Sequence, residues 1–149
     1  TSITYNKPVQ LFPRGELTVA MPDISRLYGT GIVLVTGIAN PKPLKEILEK
    51  TAGEVIHLRY PDHYSYREDD IKTINDTFER LASPVRYIIT TEKDAVRLKE
   101  FSNIAERVKS VMFYIPVGIC FLNDDSNEFN NLIIEYVRKN KRNNRVSEI

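Results

Sequence analysis

The chain has 149 residues, of which 42% are apolar and 28% are charged, and its formal net charge is +1. This composition is typical of one soluble globular domain, and no apolar stretch reaches the roughly 20 residues that a membrane span needs. The chain has a single cysteine, Cys120, which excludes an internal disulfide. Because Cys120 lies in an apolar run, we predict that it is an inert buried thiol in a protein of a reducing compartment. Two histidines and one cysteine, far apart in the sequence, argue against a zinc site.

Residues 1–28 differ in pattern from the rest of the chain. Residues 1–12 are typical of extended chain and 17–21 of a second extended piece, with a Pro-Arg-Gly turn between them, so we predict a β-hairpin. A hairpin alone is marginally stable in water, which indicates that it packs on another domain. Because the chain also starts within a strand-like pattern and without methionine, we interpret 1–28 as a hairpin or linker from the N-terminal domain of a longer protein, and 29–149 as an α/β domain.

From residue 29 the pattern alternates strands and helices. A continuous apolar run predicts a strand over 32–36, and mainly apolar segments predict further strands over 55–58, 85–90 and 111–115, with a fifth over 118–122. This alternation predicts an α/β fold, a three-layer, open, mainly parallel Rossmann-like sheet with right-handed crossovers and helices on both faces. We expect the first four strands in the order 2-1-3-4, which places the loops after strands one, two and three at one edge of the sheet.

Four helices are predicted. Short polar residues mark their expected starts: Asn40 as a cap before Pro41, Ser65 with Glu68 in a capping box, Thr91 with Asp94, and 124–126 for the last helix. Apolar residues three and four positions apart form the inner faces of the longer helices: Leu44, Ile47 and Leu48 in the first, Ile71, Ile74, Phe78 and Leu81 in the second, and Phe129, Leu132, Ile133, Tyr136 and Val137 in the last.

Two polar residues follow the second strand at its end. Asp62 and His63 come after Pro61, at the edge where open parallel sheets bind their ligands. An imidazole held there can shuttle a proton, or it can orient and tune a carboxylate base. Asp62 and His63 are therefore the candidate catalytic residues. The alternative interpretation is that both only stabilise the turn.

The segment after the third strand is the candidate phosphate-side wall of the cleft. It contains Thr91, Glu92, Lys93 and Asp94 at the start of a helix, where backbone N–H groups favour anions and where Lys93 can add a point charge. The competing interpretation is that Thr91 simply caps the helix, because two acids would repel an anion there. Lys93 can also pair with Asp62 across the loops and hold the rim together.

The loop after the first strand meets these segments at the same edge. It has one glycine, Gly37, instead of the Gly-x-Gly-x-x-Gly of a dinucleotide site, and its Asn40 is included among the cleft residues. No Gly-x-x-x-x-Gly-Lys-Ser/Thr loop occurs anywhere in the sequence. A site for a nucleoside triphosphate would therefore need a phosphate cradle from elsewhere.

Residues 138–145 form a basic tail. Basic residues near an anionic lipid surface contribute on the order of 1 kcal/mol each, which would allow a loose membrane association. The alternative is a basic helix end that suits the helix dipole and then frays.

Three segments together resemble one protein family. They are Thr-Gly-Ile-Ala-Asn-Pro at 36–41, Tyr-Pro-Asp-His-Tyr-Ser-Tyr at 60–66 and Thr-Thr-Glu-Lys-Asp-Ala-Val-Arg at 90–97. In order and spacing they are similar to the C-terminal part of tetraacyldisaccharide 4'-kinase, the lipid A 4'-kinase of Gram-negative bacteria. The resemblance implies transfer of the ATP γ-phosphoryl group to the 4'-hydroxyl of a tetraacyldisaccharide 1-phosphate, on the cytoplasmic side of the inner membrane.

The resemblance also implies a division of labour. In that family the P-loop, the Mg²⁺ ligands and an aspartate base belong to an N-terminal domain, so ATP and Mg²⁺ are expected there and no cofactor is expected in this chain. His63 matches the histidine that pairs with the aspartate base across the cleft, and Asp62 precedes it as in the family. Tyr64 stands where a second histidine is frequent. The implied partners are that N-terminal domain, the lipid A precursor and the membrane surface, with no nucleic acid.

Two other function classes remain open from the residues alone. One is a stand-alone Rossmann-like domain that binds a nucleotide or a sugar phosphate. The other is a structural lid or docking module whose rim residues are helix caps only. On the family interpretation the chain by itself is expected to be inactive.

Overall fold

A computed structural model describes residues 2–15 and 20–120 of the chain. Its strands are β1 (Ser2–Tyr5), β2 (Val9–Gln10), β3 (Thr30–Thr36), β4 (Glu54–Arg59), β5 (Val85–Thr91), β6 (Met112–Ile115) and β7 (Val117–Cys120). Its helices are α1 (Lys42–Thr51), α2 (Glu68–Arg80), α3 (Glu92–Leu98) and α4 (Glu106–Lys109), with a 3₁₀ turn at Ile24–Arg26.

A five-stranded sheet organises the fold, in the order β2-β6-β5-β3-β4. The pairs β3–β4, β3–β5 and β5–β6 are parallel, and β2 runs antiparallel to β6 at the edge. The α/β class with a mainly parallel sheet is thus confirmed, and so is the order 2-1-3-4 for the first four predicted strands. The carboxyl ends of β3, β4 and β5 are neighbours, which fixes where their loops meet.

The N-terminal segment pairs differently from the prediction. An antiparallel pair is present, but β2 pairs with β6, with Val9 opposite Tyr114, instead of with 17–21. Residues 17–19 lie outside the described residues, and Ala20 and Met21 belong to no strand. The predicted fifth strand, β7, also does not join the main sheet, because it pairs with β1 in a separate two-stranded sheet. These partners are distant in sequence, so no local pattern indicates them.

The main sheet lies in one compact unit, Tyr5–Val117. Within it β3 is buried at all seven positions, since helices cover both faces of the sheet. Val33 and Val35 face a cluster with Ile71 and Ile74 of α2. The alternate residues of β3, Ile32 and Leu34, face a second cluster that contains two leucines of α1, Leu44 and Leu48. Burying each such aliphatic side chain contributes about 1.5–3 kcal/mol, so packing on both faces holds β3 firmly in the sheet.

Two helix starts differ from the prediction. Pro41, not Asn40, occupies the cap position of α1, and Asn40 Oδ1 accepts only a long bond of 3.4 Å from the Lys42 N–H. At α2 the cap is Arg67, whose N–H donates to Asp70 Oδ2 at 2.8 Å, and the predicted Ser65–Glu68 capping box is absent. Burial of the intervening Tyr66 keeps the chain extended past Ser65, so the helix begins later.

Several sequence predictions lie outside the described residues. These are the last helix near 124–126 with its apolar face, the basic tail at 138–145 and the side chain of Cys120. In the part of the chain that is described, no helix has the length and apolar character needed to cross a membrane.

Candidate functional site

Three loops meet at the carboxyl edge of the sheet. They follow β3, β4 and β5, and direct hydrogen bonds join them in pairs. The Tyr60 N–H donates to the Thr36 carbonyl at 2.7 Å, and the Gly37 N–H donates to Asp94 Oδ2 at 2.9 Å. The convergence of the three loops that the strand order predicted is therefore present.

The Asp62–His63 turn presents the imidazole to solvent. The Tyr64 N–H donates to the Pro61 carbonyl at 3.2 Å, and His63 has φ 59°, the sign that a type II turn requires at its third position. The left-handed backbone conformation costs a residue other than glycine roughly 1–2 kcal/mol. A hydrogen bond within the turn offsets part of this cost, because Asp62 Oδ1 accepts the His63 N–H at 3.0 Å. The His63 side chain is 72% exposed.

Lys93 joins this turn to α3. Its Nζ lies 3.2 Å from Asp62 Oδ1 and 3.3 Å from His63 Nε2. The hydrogen bond from Lys93 holds the pKa of the Asp62 carboxyl below its usual value, against a smaller opposing effect of desolvation. The Asp62–Lys93 pair that the sequence offered as one alternative is thus present, and the ammonium is shared between two residues of the turn.

Asp94 lies in the interior instead of at the cleft surface where it was expected. Its side chain is 0% exposed, and Oδ2 accepts from both the Gly37 N–H and the Thr91 hydroxyl, the latter at 2.7 Å. Thr91 is buried as well and caps α3 by accepting the Asp94 N–H at 3.2 Å. Arg97 Nη1 lies 3.6 Å from Asp94 Oδ1. Asp94 and Thr91 therefore bond to other groups inside the protein. Glu92 and Asn40 are exposed at the rim of the loops.

Gly37 is required by the close approach of the loops. A Cβ at this position would lie 2.9 Å from Asp94 Oδ1 and 3.3 Å from both the Pro61 carbonyl oxygen and the Tyr66 hydroxyl. Real Cβ atoms are essentially never found under 3.0 Å from such a neighbour. The single glycine of this loop therefore serves packing between three segments, not the binding of a dinucleotide.

Three tyrosines form a wall beside the turn, and the sequence analysis assigned them no role. The ring centroids of Tyr60 and Tyr64 are 4.8 Å apart in a stacked arrangement, and Tyr66 contacts both rings edge-on at 5.1 and 5.5 Å. Burial, with a smaller effect of Asp70, raises the pKa of Tyr60 to about 12. Burial and the neighbouring Asp94 raise the pKa of Tyr66 further. Tyr64 thus serves as a packing partner for the other two rings.

Two open pockets flank the loops and share Arg59. One, of about 430 Å³, is lined by Ile38, Ala39, Arg59, Tyr60, Pro61 and Asp62. The other, of about 460 Å³, lies between α1 and β4 and is lined by Asn40, Pro41, Lys42, Lys45, Glu46, Glu49, His57 and Arg59. A larger pocket of about 700 Å³ lies along β2 and shares none of these residues. Among the described residues, no group of three or more His, Cys, Asp or Glu side chains is arranged to hold a metal ion.

His57 is a second residue that sequence reasoning left without a role. Its Nε2 lies 2.8 Å from the hydroxyl of Thr36, the last residue of β3. Partial burial lowers the pKa of His57, and the cations Lys45 and Arg59 lower it further. A neutral His57 is therefore part of the support for the β3 loop.

We expect the free energy of unfolding to fall as the pH drops below about 6.5, the ordinary pKa of histidine. The pKa of His57 is depressed in the folded state, so the unfolded chain takes up a proton first and is favoured by acid. Urea unfolding at a series of pH values measures this. His57→Gln should flatten the dependence and leave stability above neutral pH closer to that of the wild type, and identical pH dependence in both proteins would contradict the assignment.

Comparisons with known proteins agree on one family. A family model described as tetraacyldisaccharide-1-P 4'-kinase matches residues 5–138. The tetraacyldisaccharide 4'-kinase of Bacteroides thetaiotaomicron is 36% identical over 152 residues, which cover 99% of this chain and 40% of that protein. The enzyme of the same name from Phocaeicola vulgatus is 37% identical over 147 residues, 99% of this chain and 39% of its own length.

A third relative of that name, from Parabacteroides distasonis, is 35% identical over 108 residues, covering 72% of this chain and 29% of its own length. The chain thus spans at most about 40% of the length of these curated relatives. No solved structure matches it.

Proposed function

The chain belongs to the tetraacyldisaccharide-1-P 4'-kinase family, and we propose that it is the C-terminal part of an enzyme that phosphorylates a lipid-linked sugar. The reaction is transfer of the ATP γ-phosphoryl group to the 4'-hydroxyl of tetraacyldisaccharide 1-phosphate. The observation that carries the proposal is an exposed imidazole, His63, fixed on a turn at the carboxyl edge of the sheet, in a chain that matches this family over most of its length.

Phosphoryl transfer requires positioning and charge neutralisation more than covalent work by the protein. The residues of this chain do not fit the magnesium part of that task, since Asp62 is paired with Lys93 and Asp94 is buried. Its sequence also has no Gly-x-x-x-x-Gly-Lys-Ser/Thr loop. We therefore assign the binding of ATP and Mg²⁺ to the P-loop domain in the remainder of the protein. That domain is the main partner of this chain.

In this proposal His63 acts as a positioning residue. It donates a hydrogen bond to a carboxylate base of the P-loop domain and orients that base toward the sugar hydroxyl. The 72% exposure of the His63 side chain leaves it accessible to such a partner. Asp62 fixes the turn through the His63 N–H, and exposed Glu92 and Asn40 form the rim of the cleft.

The other partners follow from the substrate. A tetraacylated sugar is held in a bilayer, so the enzyme works at a membrane surface, which we propose is the cytoplasmic face of the inner membrane. The basic tail at 138–145 supplies charges for a peripheral contact with anionic lipid. No nucleic acid takes part.

One observation favours a second candidate function. The pocket between α1 and β4 is lined by four basic or imidazole side chains, those of Lys42, Lys45, His57 and Arg59, which would suit a stand-alone domain that binds a nucleotide or a sugar phosphate. Two of these cations already pair with glutamates of α1, Lys42 with Glu46 and Lys45 with Glu49. This pairing makes the kinase assignment the stronger of the two.

Calorimetric titration of the chain with ATP separates the two candidates. We expect no measurable heat of binding from this chain, because the phosphate cradle is assigned to the remainder of the kinase. The full-length kinase should bind ATP and phosphorylate tetraacyldisaccharide 1-phosphate in the same buffer. Micromolar binding of ATP or of a sugar phosphate by the chain alone, lost in Arg59→Ala, would favour the second candidate. A full-length protein with no such kinase activity would refute the first.

A further inference from the structure

We infer that Lys93 is a positioning residue that selects the tautomer of His63 and thereby directs its Nδ1–H toward the cleft. This inference rests on the proposed function for its role in the reaction, but the tautomer itself is a property of this chain. On this inference Lys93 bonds to the His63 imidazole instead of to a phosphate group.

The argument begins with the hydrogen-bonding capacity of the two groups. A lysine ammonium carries three donors and no acceptor. Its contact with His63 Nε2 at 3.3 Å therefore requires a lone pair on that nitrogen. In a neutral imidazole the proton must then reside on Nδ1, because the bond made by one ring nitrogen fixes the state of the other.

Asp62 would favour the opposite tautomer if it were the dominant partner of the ring. Its Oδ2 lies 3.6 Å from His63 Nε2, which is beyond hydrogen-bond range. Its other oxygen, Oδ1, accepts from Lys93 and from the His63 N–H. The Asp62 carboxylate therefore bonds to the Lys93 ammonium and to the backbone of the turn. The Lys93 ammonium, and not the Asp62 carboxylate, is the group that contacts the ring nitrogen of His63.

The buried side of α3 fixes the position of Lys93. Asp94, the next residue, is fully buried and bonded to the Gly37 N–H and to the Thr91 hydroxyl. The backbone of the first turn of α3 is thus capped by Thr91 and tied to the loop after β3 through Gly37. From that anchor the flexible lysine stem has to bring only its terminal nitrogen to the Asp62–His63 turn. A side chain held in this way can orient an otherwise exposed ring.

The arrangement also argues against Lys93 as a primary phosphate ligand. Its ammonium already has two acceptors within the chain, one an anion and one an imidazole. A phosphate contact would compete with both. A lysine that binds a non-reacting phosphate group mainly affects KM for the substrate that carries it, whereas a lysine that orients His63 mainly affects kcat.

The tautomer can be measured directly by ¹⁵N NMR of the ring nitrogens. The chain has two histidines, so His57 serves as an internal reference in the same spectra. With the imidazoles neutral, we expect the shifts of His63 to show mainly Nδ1–H in the wild type and a change toward Nε2–H in Lys93→Met. Lys93→Arg should restore part of the Nδ1–H form, because a guanidinium retains donors. An Nε2–H form of equal population in the wild type and in Lys93→Met would overturn the inference.

Kinetics of the full-length kinase give the second measurement. Lys93→Met should lower kcat by about 10- to 100-fold, the range set by small misplacements of a reacting group, with KM values for ATP and lipid within about twofold of the wild type. Lys50→Met, which removes an exposed lysine of α1, should change neither parameter. A large rise in KM with kcat unchanged would assign Lys93 to a phosphate instead.

These measurements distinguish the tautomer of His63 from the proposed role of His63 in the reaction. A wild-type Nδ1–H ring that shifts in Lys93→Met, combined with unchanged turnover in a His63 variant, would retain the tautomer assignment and refute the role of His63. An Nε2–H ring combined with a large loss of turnover in the His63 variant would refute the tautomer assignment alone.

Discussion

Replacement of His63 by alanine is expected to lower kcat of the full-length kinase by about 100- to 10,000-fold, the range for a positioned acid–base group. The side chain is exposed and packs on no part of the core, so folding should be unaffected. Loss of the imidazole leaves the base of the other domain without its orienting partner. KM for ATP should change little, because the nucleotide is assigned to the P-loop domain.

The control for this variant is the other histidine. His57→Gln, measured at a pH above neutrality, removes an imidazole that contacts Thr36 and lies outside the proposed cleft contacts, and it should retain turnover within a few-fold. His63→Gln keeps a hydrogen-bond donor and should recover part of the loss seen in His63→Ala. Full turnover in His63→Ala would remove this residue from the mechanism and leave the family assignment intact.

Replacement of Asp94 by alanine is expected to lower the free energy of unfolding by about 2–4 kcal/mol. The substitution leaves the Gly37 N–H and the Thr91 hydroxyl without their acceptor, and each unsatisfied buried donor costs about 1–3 kcal/mol. The buried Nη1 of Arg97 also loses its ion-pair partner, which adds to the loss. Urea unfolding followed by far-ultraviolet circular dichroism measures the difference.

Two further variants test the cause of that loss. Asp94→Asn retains one acceptor oxygen and should lose less stability than Asp94→Ala. Glu100→Ala, an exposed position just beyond α3, should stay within about 0.5 kcal/mol of the wild type. A stable Asp94→Ala protein would show that the three loops are held by other contacts than the buried carboxylate.

The sheet could be predicted because its signals are local and mutually consistent. A continuous apolar run predicted β3, mainly apolar segments predicted β4, β5 and β6, and the helical spacing of Ile71, Ile74 and Phe78 predicted the inner face of α2. A parallel arrangement then brought the three loops to one edge, as the bond from Gly37 to Asp94 confirms. The pairing of β1 with β7 could not be predicted, because no local pattern specifies a partner more than 100 residues away.

The surroundings of the candidate site were harder to predict than its location. A carboxylate three residues after Thr91 is typical of a solvent-exposed helix start, and only the tertiary approach of Gly37 makes Asp94 an interior residue. The Asp62–Lys93 pair was one of several alternatives predicted from the sequence, and the structure contains it. The left-handed conformation of His63 was not predicted, because few residues other than glycine adopt it, although histidine is among the residue types enriched there.

The stacked tyrosines have a practical consequence for anyone who follows this protein by optical spectroscopy. The chain contains eight tyrosines and no tryptophan, and three of those rings contact one another next to the Asp62–His63 turn, two of them stacked and the third edge-on. Tyrosine emission and near-ultraviolet dichroism therefore include a contribution from this corner, free of indole background. The natural chromophores can serve as an intrinsic reporter there, with no dye or engineered label.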